Sequence, residues 1–161
     1  MKRIKDVLTF IKKAHAGQRY GSSPYWTHPL NVAETGKGIF GGKFTDDTYI
    51  AALLHDTVED TFYTLEDLKN LGFSDKVLNA VLLLTKEKSL SYEDNIKQII
   101  SSRDKMAMMV KFADNFVNFT GDKSDWNPQK REKSQAKYWK SMQDLGKVLG
   151  VDPEKLLENN K

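Results

Sequence analysis

Cysteine is absent from the 161 residues of this chain. The sequence therefore has no disulfide framework, no thiolate metal ligand and no cysteine nucleophile, so a metal site must be built from histidine and carboxylate side chains. The absence of cysteine also fits a reducing compartment, and we expect a cytoplasmic protein.

Long apolar runs and long blocks of like charge are also missing from the sequence. No segment is long enough to cross a bilayer, and the net charge is only +3. Such a weak and diffuse positive charge does not require a nucleic-acid partner, and it suits a small polyanionic substrate equally well. We expect no membrane or nucleic-acid partner, and the sequence leaves the oligomeric state open.

The apolar residues recur with the period of a helix. They fall at i, i+3, i+4 and i+7 over residues 4–15, and no segment alternates with period two. We predict a loop over 17–27 and further helices from His28 to the glycines at 36–42, over 46–60, between Thr64 and Gly72, from Ser74 through Leu84, over 92–100 and 105–119, and within 128–161. The chain has the length of one domain, so we predict a single all-α bundle over residues 1–161.

The most informative stretch is 51–61, where an apolar segment ends in His55, Asp56, Glu59 and Asp60. Burying an imidazole and carboxylates is costly unless the groups are paired, hydrogen-bonded or bound to a metal. In one continuous helix, His55 would face Glu59 and Asp56 would face Asp60 at the i, i+4 spacing. The pattern therefore predicts a polar helix end that borders a cleft.

Two more positions supply ligands of the same kind. His28 precedes a proline at the N-cap end of a predicted helix, and Asp114 shares a polar stripe with Lys111 and Asn118. Helical bundles build cation sites from side chains on facing helices, and mixed nitrogen and oxygen ligation suits a divalent first-row metal. We predict one divalent ion per chain, bound by His28, His55, Asp56 and Asp114.

The chemistry of such a site is hydrolytic. A bound ion can lower the pKa of water and polarise a phosphoryl oxygen, and Glu59 and Asp60 are predicted to orient or deprotonate that water. Simpler interpretations remain for each part: His28 as a helix cap, His55 and Asp56 as a buried ion pair, and Glu59 with Asp60 as a solvated helix end. His15 is predicted to be a satisfied core histidine, and the basic residues from Lys123 to Lys137 a solvated helix face.

The spacing H…HD…D made by His28, His55, Asp56 and Asp114 resembles that of the HD phosphohydrolase superfamily. The flanking blocks narrow the resemblance: A-H-A-G-Q at 14–18, P-Y-W-T-H-P at 24–29, L-L-H-D-T-V-E-D-T at 53–61, T-K at 85–86 and V-K-F-A-D-N-F-V-N at 110–118. They are similar to the hydrolase domain of RelA/SpoT-type guanosine tetraphosphate enzymes, especially stand-alone small alarmone hydrolases and the metazoan SpoT homologue. The likeness covers roughly the first four-fifths of the chain.

This resemblance implies a specific reaction. It implies manganese-dependent removal of the 3′-pyrophosphate from ppGpp and pppGpp in a single HD domain whose metal and catalytic motifs lie within 14–120. It also implies the four ligands named above, with Glu59 and Asp60 beside the attacking water. Because no synthetase domain follows in this sequence, we expect hydrolysis only.

The departures from the family pattern lie in the substrate loop. Family members usually carry an Arg-Lys pair two and three residues after the glutamine, whereas Gln18 is followed by Arg19 and Tyr20. Family members also commonly carry an arginine two residues after the asparagine that matches Asn118, and this chain has Thr120 there. The predicted substrate-binding residues are Arg19, Tyr20, Tyr25, Lys111 and Asn118. The alternatives are an HD nucleotidase, an NADPH or dNTP phosphatase with the same metal site, or a non-catalytic nucleotide-binding module.

Overall fold

The computed structural model describes residues 3–161, so Met1 and Lys2 of the predicted domain lie outside the described residues. The elements are α1 Ile4–Ala14, β1 Arg19–Tyr20, β2 Ser23–Pro24, α2 Thr27–Phe40, α3 Asp46–Leu54, α4 Thr57–Asp60, α5 Leu65–Asn70, α6 Asp75–Leu84, α7 Tyr92–Ser102, α8 Lys105–Thr120, α9 Pro128–Leu149 and α10 Pro153–Asn159. A 3-10 turn, Gly41–Lys43, follows α2. Apart from the β1–β2 hairpin, the described regular elements are helical, which confirms the all-α prediction.

Polar side chains at the helix N-termini explain many of these boundaries. Thr45, Ser74 and Ser91 each accept a hydrogen bond from the backbone N–H three residues further on, a group that the first helical turn leaves free. Thr64 and Asp67 form a capping box at the start of α5. The helix starts predicted at Thr64 and Ser74 are therefore confirmed.

Helices α3 and α8 form the centre of the bundle. Every residue of α3 from Thr48 to Leu54 is buried. Helix α3 packs against α1, α2, α6 and α8, and α8 also packs against α2, α7 and α9. Met108 and Met109 of α8 are buried in this core. Within residues 3–161, no helix is both long and apolar enough to cross a membrane.

The segment predicted as a loop over 17–27 contains a short hairpin. Its two-residue strands, β1 and β2, pair in antiparallel fashion. Gly21 turns the chain with a φ of +60°, in the left-handed region that glycine adopts without a steric penalty. Strands this short cannot show a period-two pattern, so sequence periodicity did not reveal them. The hairpin places Tyr20 and Tyr25 against the first turn of α2.

The central helix is shorter than predicted. The prediction continued it to about Asp60, but α3 ends at Leu54 and a separate turn, α4, begins at Thr57. The Nδ1 atom of His55 lies 2.6 Å from the Ala52 carbonyl oxygen, and the His55 backbone N–H donates to the same oxygen. Because this histidine satisfies a carbonyl at the helix C-terminus, the chain can turn there without leaving that group unpaired.

Candidate metal centre and active site

Three helices bring the four predicted metal ligands together. His28 lies in the first turn of α2, inside the helix rather than at its predicted N-cap position. His55 and Asp56 occupy the turn between α3 and α4, and Asp114 lies in α8. His28, His55 and Asp114 are buried, while Asp56 is half-buried. The structure thus places all four side chains in one region of the interior.

The ligand atoms of these side chains lie within a few ångströms of one another. The Nε2 atom of His28 lies 3.0 Å from Asp114 Oδ1 and 3.8 Å from Asp56 Oδ2. The Nε2 atom of His55 lies 3.1 Å from Asp56 Oδ2 and 3.5 Å from Asp114 Oδ1. Two atoms bonded at right angles to one ion at about 2.1 Å would be about 3.0 Å apart, so this spacing suits ligands of a single cation.

His55 provides the clearest test of whether a metal fits. Because its Nδ1 donates to a backbone carbonyl, its Nε2 is left free to act as a ligand. That Nε2 is buried and makes no hydrogen bond to any of residues 3–161, although Asp56 and Asp114 lie close to it. His28, His55 and Asp114 therefore form a possible divalent metal site. Asp56, the fourth predicted ligand, has its Oδ2 atom 3.1 Å from His55 Nε2 and would add a second carboxylate to this mixed nitrogen and oxygen set.

The charged groups of the centre stabilise one another. Burial opposes ionisation of Asp114, yet Lys111 and the two histidines hold its pKa well below the usual range. Burial also opposes ionisation of Asp56, but His55 lowers its pKa to about 2. Burial alone would lower the pKa of His55, and the two carboxylates raise it well above its ordinary value. The two ionised carboxylates therefore favour a positive charge beside them. A divalent ion would also supply that charge.

The predicted catalytic residues, Glu59 and Asp60, lie beside the ligand Asp56. One carboxylate oxygen from each of these three residues lies within 4.8 Å of the others. Glu59 accepts a hydrogen bond of 2.8 Å from the Lys86 backbone N–H, which fixes its carboxylate. Burial and the charge of Asp56 raise the pKa of both Glu59 and Asp60. A raised pKa makes a carboxylate a stronger base, so both groups suit proton transfer from water.

Tyr25 connects the ligand set to this carboxylate pair. Its hydroxyl donates to Asp56 Oδ2 at 2.6 Å and lies 3.3 Å from Asp60 Oδ2. Burial and the charge of Asp56 raise the pKa of Tyr25 well above its usual value, so the hydroxyl keeps its proton and donates. The structure turns this hydroxyl toward carboxylates, and contact with a nucleotide stays a prediction.

Three other residues predicted to bind substrate also border the metal ligands. Tyr20 stacks on His28 and donates a hydrogen bond of 2.8 Å to Asn118 Oδ1. Asn118 in turn donates to Asp114 Oδ1 at 3.2 Å. The Nζ atom of Lys111 lies 3.3 Å from Asp114 Oδ2. Contacts of these three side chains with a nucleotide stay predictions.

Arg19 and a neighbouring cavity offer room for the rest of a substrate. A cavity of about 280 Å³ is lined by Arg19 and Tyr20 of the hairpin, by Asn118, and by Trp126 and Tyr138. Neither Trp126 nor Tyr138 was assigned a role in the site from the sequence alone. The volume is close to the lower end of the range for ligand pockets, about 300 Å³. It suits part of a nucleotide beside the metal centre.

Gln18 is a site residue to which sequence analysis assigned no role. Its side-chain amide donates to the Asp60 carbonyl oxygen at 2.7 Å, and its Oε1 lies 2.8 Å from Nδ1 of His15. His15 is buried as predicted, but its Nε2 has no hydrogen-bond partner among residues 3–161, so the prediction of a fully satisfied histidine is wrong. The A-H-A-G-Q block was the only sequence signal for Gln18.

Lys123 differs from the predicted solvated helix face. The side chain is buried, and its Nζ donates to the carbonyl oxygens of Phe119 and Gly121 at 3.0 and 2.8 Å. Carbonyls at a helix C-terminus lack hydrogen-bond partners inside the helix. Lys123, just after the end of α8, donates to these carbonyls instead. Lys123 therefore stabilises the end of the helix that carries Asp114.

Comparison with known proteins assigns this arrangement to a family. Residues 8–142 match the HD domain family, and this segment contains all four predicted ligands. The chain belongs to the HD domain family. HD domains bind a divalent metal ion, in agreement with the donor set described above. The resemblance drawn from the sequence motifs is therefore confirmed.

Several curated HD proteins are similar to this chain. A guanosine-3′,5′-bis(diphosphate) 3′-pyrophosphohydrolase from Aquifex aeolicus is 32% identical over 92% of this chain and 22% of its own length. The MESH1 protein from Danio rerio, which carries the same enzyme name, is 35% identical over 71% of this chain and 66% of its own length. A GTP pyrophosphokinase from Myxococcus xanthus is 36% identical over 71% of this chain. The chain spans only 16% and 22% of the two bacterial relatives.

A solved structure agrees with the fold. The structure of a metazoan orthologue of SpoT that hydrolyses ppGpp superposes with a TM-score of 0.65 and covers 94% of this chain and 99% of its own. Its sequence is 24% identical to this chain. The similarity confirms the helical fold around the metal centre.

Proposed function

We propose that this chain is a metal-dependent hydrolase that removes the 3′-pyrophosphate from guanosine tetraphosphate and pentaphosphate. The observation that carries the proposal is the buried Nε2 of His55, which has no hydrogen-bond partner in the described part of the chain and lies in one cluster with His28 and two carboxylates. The names of the Aquifex aeolicus and Danio rerio relatives support the choice of substrate.

We assign the metal to manganese, with one ion per chain held by His28, His55, Asp56 and Asp114. Two imidazoles and two carboxylates suit a divalent first-row ion, and the family resemblance favours manganese. When bound, this ion would polarise a phosphoryl oxygen of the substrate and lower the pKa of a water molecule. Lys111, beside Asp114, keeps that carboxylate ionised for ligation.

Glu59 and Asp60 accept the proton of the attacking water. The water oxygen forms a bond to the phosphorus that carries the 3′-oxygen, and the bond between that phosphorus and the 3′-oxygen breaks. The 3′-oxygen leaves with the proton that the carboxylate took from water, so the products are pyrophosphate and the nucleoside 5′-diphosphate, or the 5′-triphosphate when the substrate is the pentaphosphate. The backbone N–H of Lys86 holds the Glu59 carboxylate, while Gln18 donates to the backbone carbonyl of Asp60 and the Tyr25 hydroxyl lies 3.3 Å from the Asp60 carboxylate. These contacts hold the Glu59 side chain and the backbone at Asp60 before substrate arrives, which reduces the entropy lost in the reaction.

The nucleotide occupies the hairpin side of the metal centre. The cavity of about 280 Å³ begins at Tyr20 and Asn118, next to the ligands, so a substrate with its 3′-phosphates at the centre would direct its base or sugar there. Arg19 lies at the edge of this cavity and is exposed. Its guanidinium is the group best placed to pair with a phosphate or stack on the base.

A turnover screen with Mn²⁺ tests the proposal. Metal-loaded protein would be incubated separately with ppGpp, NADPH, dNTPs and nucleoside monophosphates, and the products identified by ion-exchange chromatography. We expect ppGpp to give GDP and pyrophosphate with the highest kcat/KM of the panel. Faster turnover of NADPH or a dNTP would reject the guanosine substrate while leaving the metal-dependent hydrolase in place. No turnover of any substrate would reject the hydrolase.

A further inference from the structure

The two histidine ligands are held in different ways. The Nδ1 atom of His55 donates to the Ala52 carbonyl, which fixes the orientation of that ring. The Nδ1 atom of His28 is buried and has no hydrogen-bond partner among residues 3–161. A histidine ligand usually relies on a hydrogen bond at its second nitrogen for orientation. Some other contact must therefore orient the ring of His28.

The ring of Tyr20 provides that contact. It lies parallel to the His28 imidazole, with 4.4 Å between ring centroids and 16° between the planes. Tyr20 comes from β1 of the hairpin, whereas His28 lies in α2, so the stack joins two elements. A flat ring at this distance restricts rotation of the imidazole about its side-chain bonds, because turning the imidazole out of the stack would bring it into contact with the tyrosine.

The hydroxyl of Tyr20 reaches a second ligand through Asn118. It donates to Asn118 Oδ1 at 2.8 Å, and Asn118 Nδ2 donates to Asp114 Oδ1 at 3.2 Å. The tyrosine donor and both ends of the asparagine amide are therefore used within the protein. Tyr20 thus contacts the proposed ligand His28 of α2 directly. It contacts the proposed ligand Asp114 of α8 indirectly, through Asn118.

We propose that Tyr20 is a positioning residue of the metal centre, which orients His28 by stacking and Asp114 through Asn118. This inference rests on the proposed metal-dependent function but concerns metal affinity, which can be measured without substrate. It assigns to Tyr20 a role different from that of the Arg-Lys pair that the family resemblance places in this loop. Neither basic side chain has an aromatic ring or a hydroxyl group.

Manganese titration of metal-free protein by calorimetry tests this role. Tyr20→Leu removes both the ring and the hydroxyl, and we expect its affinity for Mn²⁺ to fall about 10- to 100-fold, as for loss of other groups that orient metal ligands. Tyr20→Phe keeps the ring, and we expect a loss of about threefold, at the low end for a single hydrogen bond. Trp126→Leu removes an aromatic ring from the same cavity without a contact to a ligand, and it should leave Mn²⁺ affinity unchanged.

Turnover as a function of metal concentration separates positioning from nucleotide binding. If Tyr20 positions the ligands, Tyr20→Leu should bind Mn²⁺ more weakly than wild type, and excess Mn²⁺ should restore its kcat. If Tyr20 instead binds the nucleotide, the variant would keep wild-type Mn²⁺ affinity and show a raised KM that excess metal does not correct. That result would overturn the inference.

Folding of the variants must be checked by thermal melting. Should Tyr20→Leu fail to fold, Tyr20→Met supplies an unbranched apolar side chain without a ring, and the same loss of Mn²⁺ affinity is expected. Wild-type affinity in Tyr20→Met would overturn the inference. A wild type that binds Mn²⁺ but does not hydrolyse ppGpp would reject the proposed substrate, and the affinity series would still decide the role of Tyr20.

Discussion

His55 uses its two ring nitrogens for different purposes. Nδ1 holds the end of α3 through the Ala52 carbonyl, and Nε2 faces the carboxylates of the ligand cluster. His55→Ala should therefore abolish Mn²⁺ binding and turnover together, because it removes a ligand from the centre of the set. Elemental analysis of the purified variant alongside a ppGpp assay checks this. Full metal occupancy in a folded variant would show that His55 is not a ligand.

Glu59 is proposed as a base and not as a metal ligand. Its substitution should therefore impair catalysis without impairing metal binding. Glutamine retains the shape of the side chain and can still accept from Lys86 N–H, but it cannot take a proton from water. We expect Glu59→Gln to keep its Mn²⁺ and lose kcat by about 10²- to 10⁴-fold. Near-normal kcat in the metal-loaded variant would assign the base to another residue.

The same substitution has an expected effect on stability. The pKa of Glu59 is raised in the folded protein by burial and by the charge of Asp56. Ionisation of Glu59 at neutral pH therefore opposes folding, and a neutral glutamine removes that cost. The Tm of Glu59→Gln at pH 7 should be equal to or higher than that of wild type, so lost activity would not reflect unfolding.

The pH dependence of turnover follows from the same carboxyls. A general base must be ionised, so the rate falls as the pH drops through the pKa of Glu59 and Asp60 in the folded protein. Burial, the largest cause of the raised values, does not depend on a bound ion. The acidic limb of kcat/KM for ppGpp should therefore lie above the value of about 4 for an ordinary carboxyl group. A limb at or below that value in a pH-rate profile would contradict this assignment.

At the scale of elements, the β1–β2 hairpin carries the proposed nucleotide contact. Arg19 is exposed at the edge of the cavity, and its guanidinium donates to the Ser22 carbonyl within the hairpin. Arg19→Ala should raise KM for ppGpp by about tenfold or more, as expected for loss of a charge-assisted contact, while kcat changes little. Metal content should stay at one ion per chain. An unchanged KM would remove Arg19 from the substrate site.

The close packing between α9 and the segment before α10 allows a prediction about stability. A Cβ added at Gly146 would overlap the backbone oxygen of Val151. Gly146→Ala should therefore destabilise the protein by about 1–3 kcal/mol in urea unfolding. Gly38→Ala in α2 is the matched control, since a Cβ there meets no atom within 4 Å. The control should be neutral or stabilising, and equal stabilities of the two variants would contradict the packing argument.

Helix boundaries were predictable wherever a local side chain defines them. Thr64 and Ser74 cap the helices that follow, and these starts are visible in the sequence. The end of α3 was not predictable in the same way. It depends on His55 turning back to the Ala52 carbonyl, and the sequence alone favours continuation of the apolar helix through this residue. Local sequence signals therefore predicted the helix starts at Thr64 and Ser74. They did not predict the helix end at His55.

For the molecule as a whole, the clustering of the four predicted ligands was predictable because three motifs carry them. His28, His55 with Asp56, and Asp114 each lie in a recognisable block, and the structure brings them together. The contacts around them were not predictable. The stack of Tyr20 on His28 requires the hairpin to lie against α2, an approach that no local pattern encodes.

Several expectations about the whole molecule stay predictions. They concern a cytoplasmic location, the absence of nucleic-acid and membrane partners, the assignment of residues 1–161 to one domain, and the roles of the site residues. The weak positive charge of the chain suits a polyanionic nucleotide, but it does not select guanosine. We propose that specificity comes from the cavity beside Tyr20 and from Arg19.

Stoichiometric activation by manganese tests the central claim most directly. Metal-free wild-type protein would be titrated with Mn²⁺ while pyrophosphate release from ppGpp is followed continuously. The four-ligand centre predicts no release without metal, a rise in rate that ends near one equivalent of Mn²⁺ per chain, and GDP as the other product. Full pyrophosphate release in the presence of a chelator, or no release from ppGpp after one equivalent of Mn²⁺ has bound, would contradict the account.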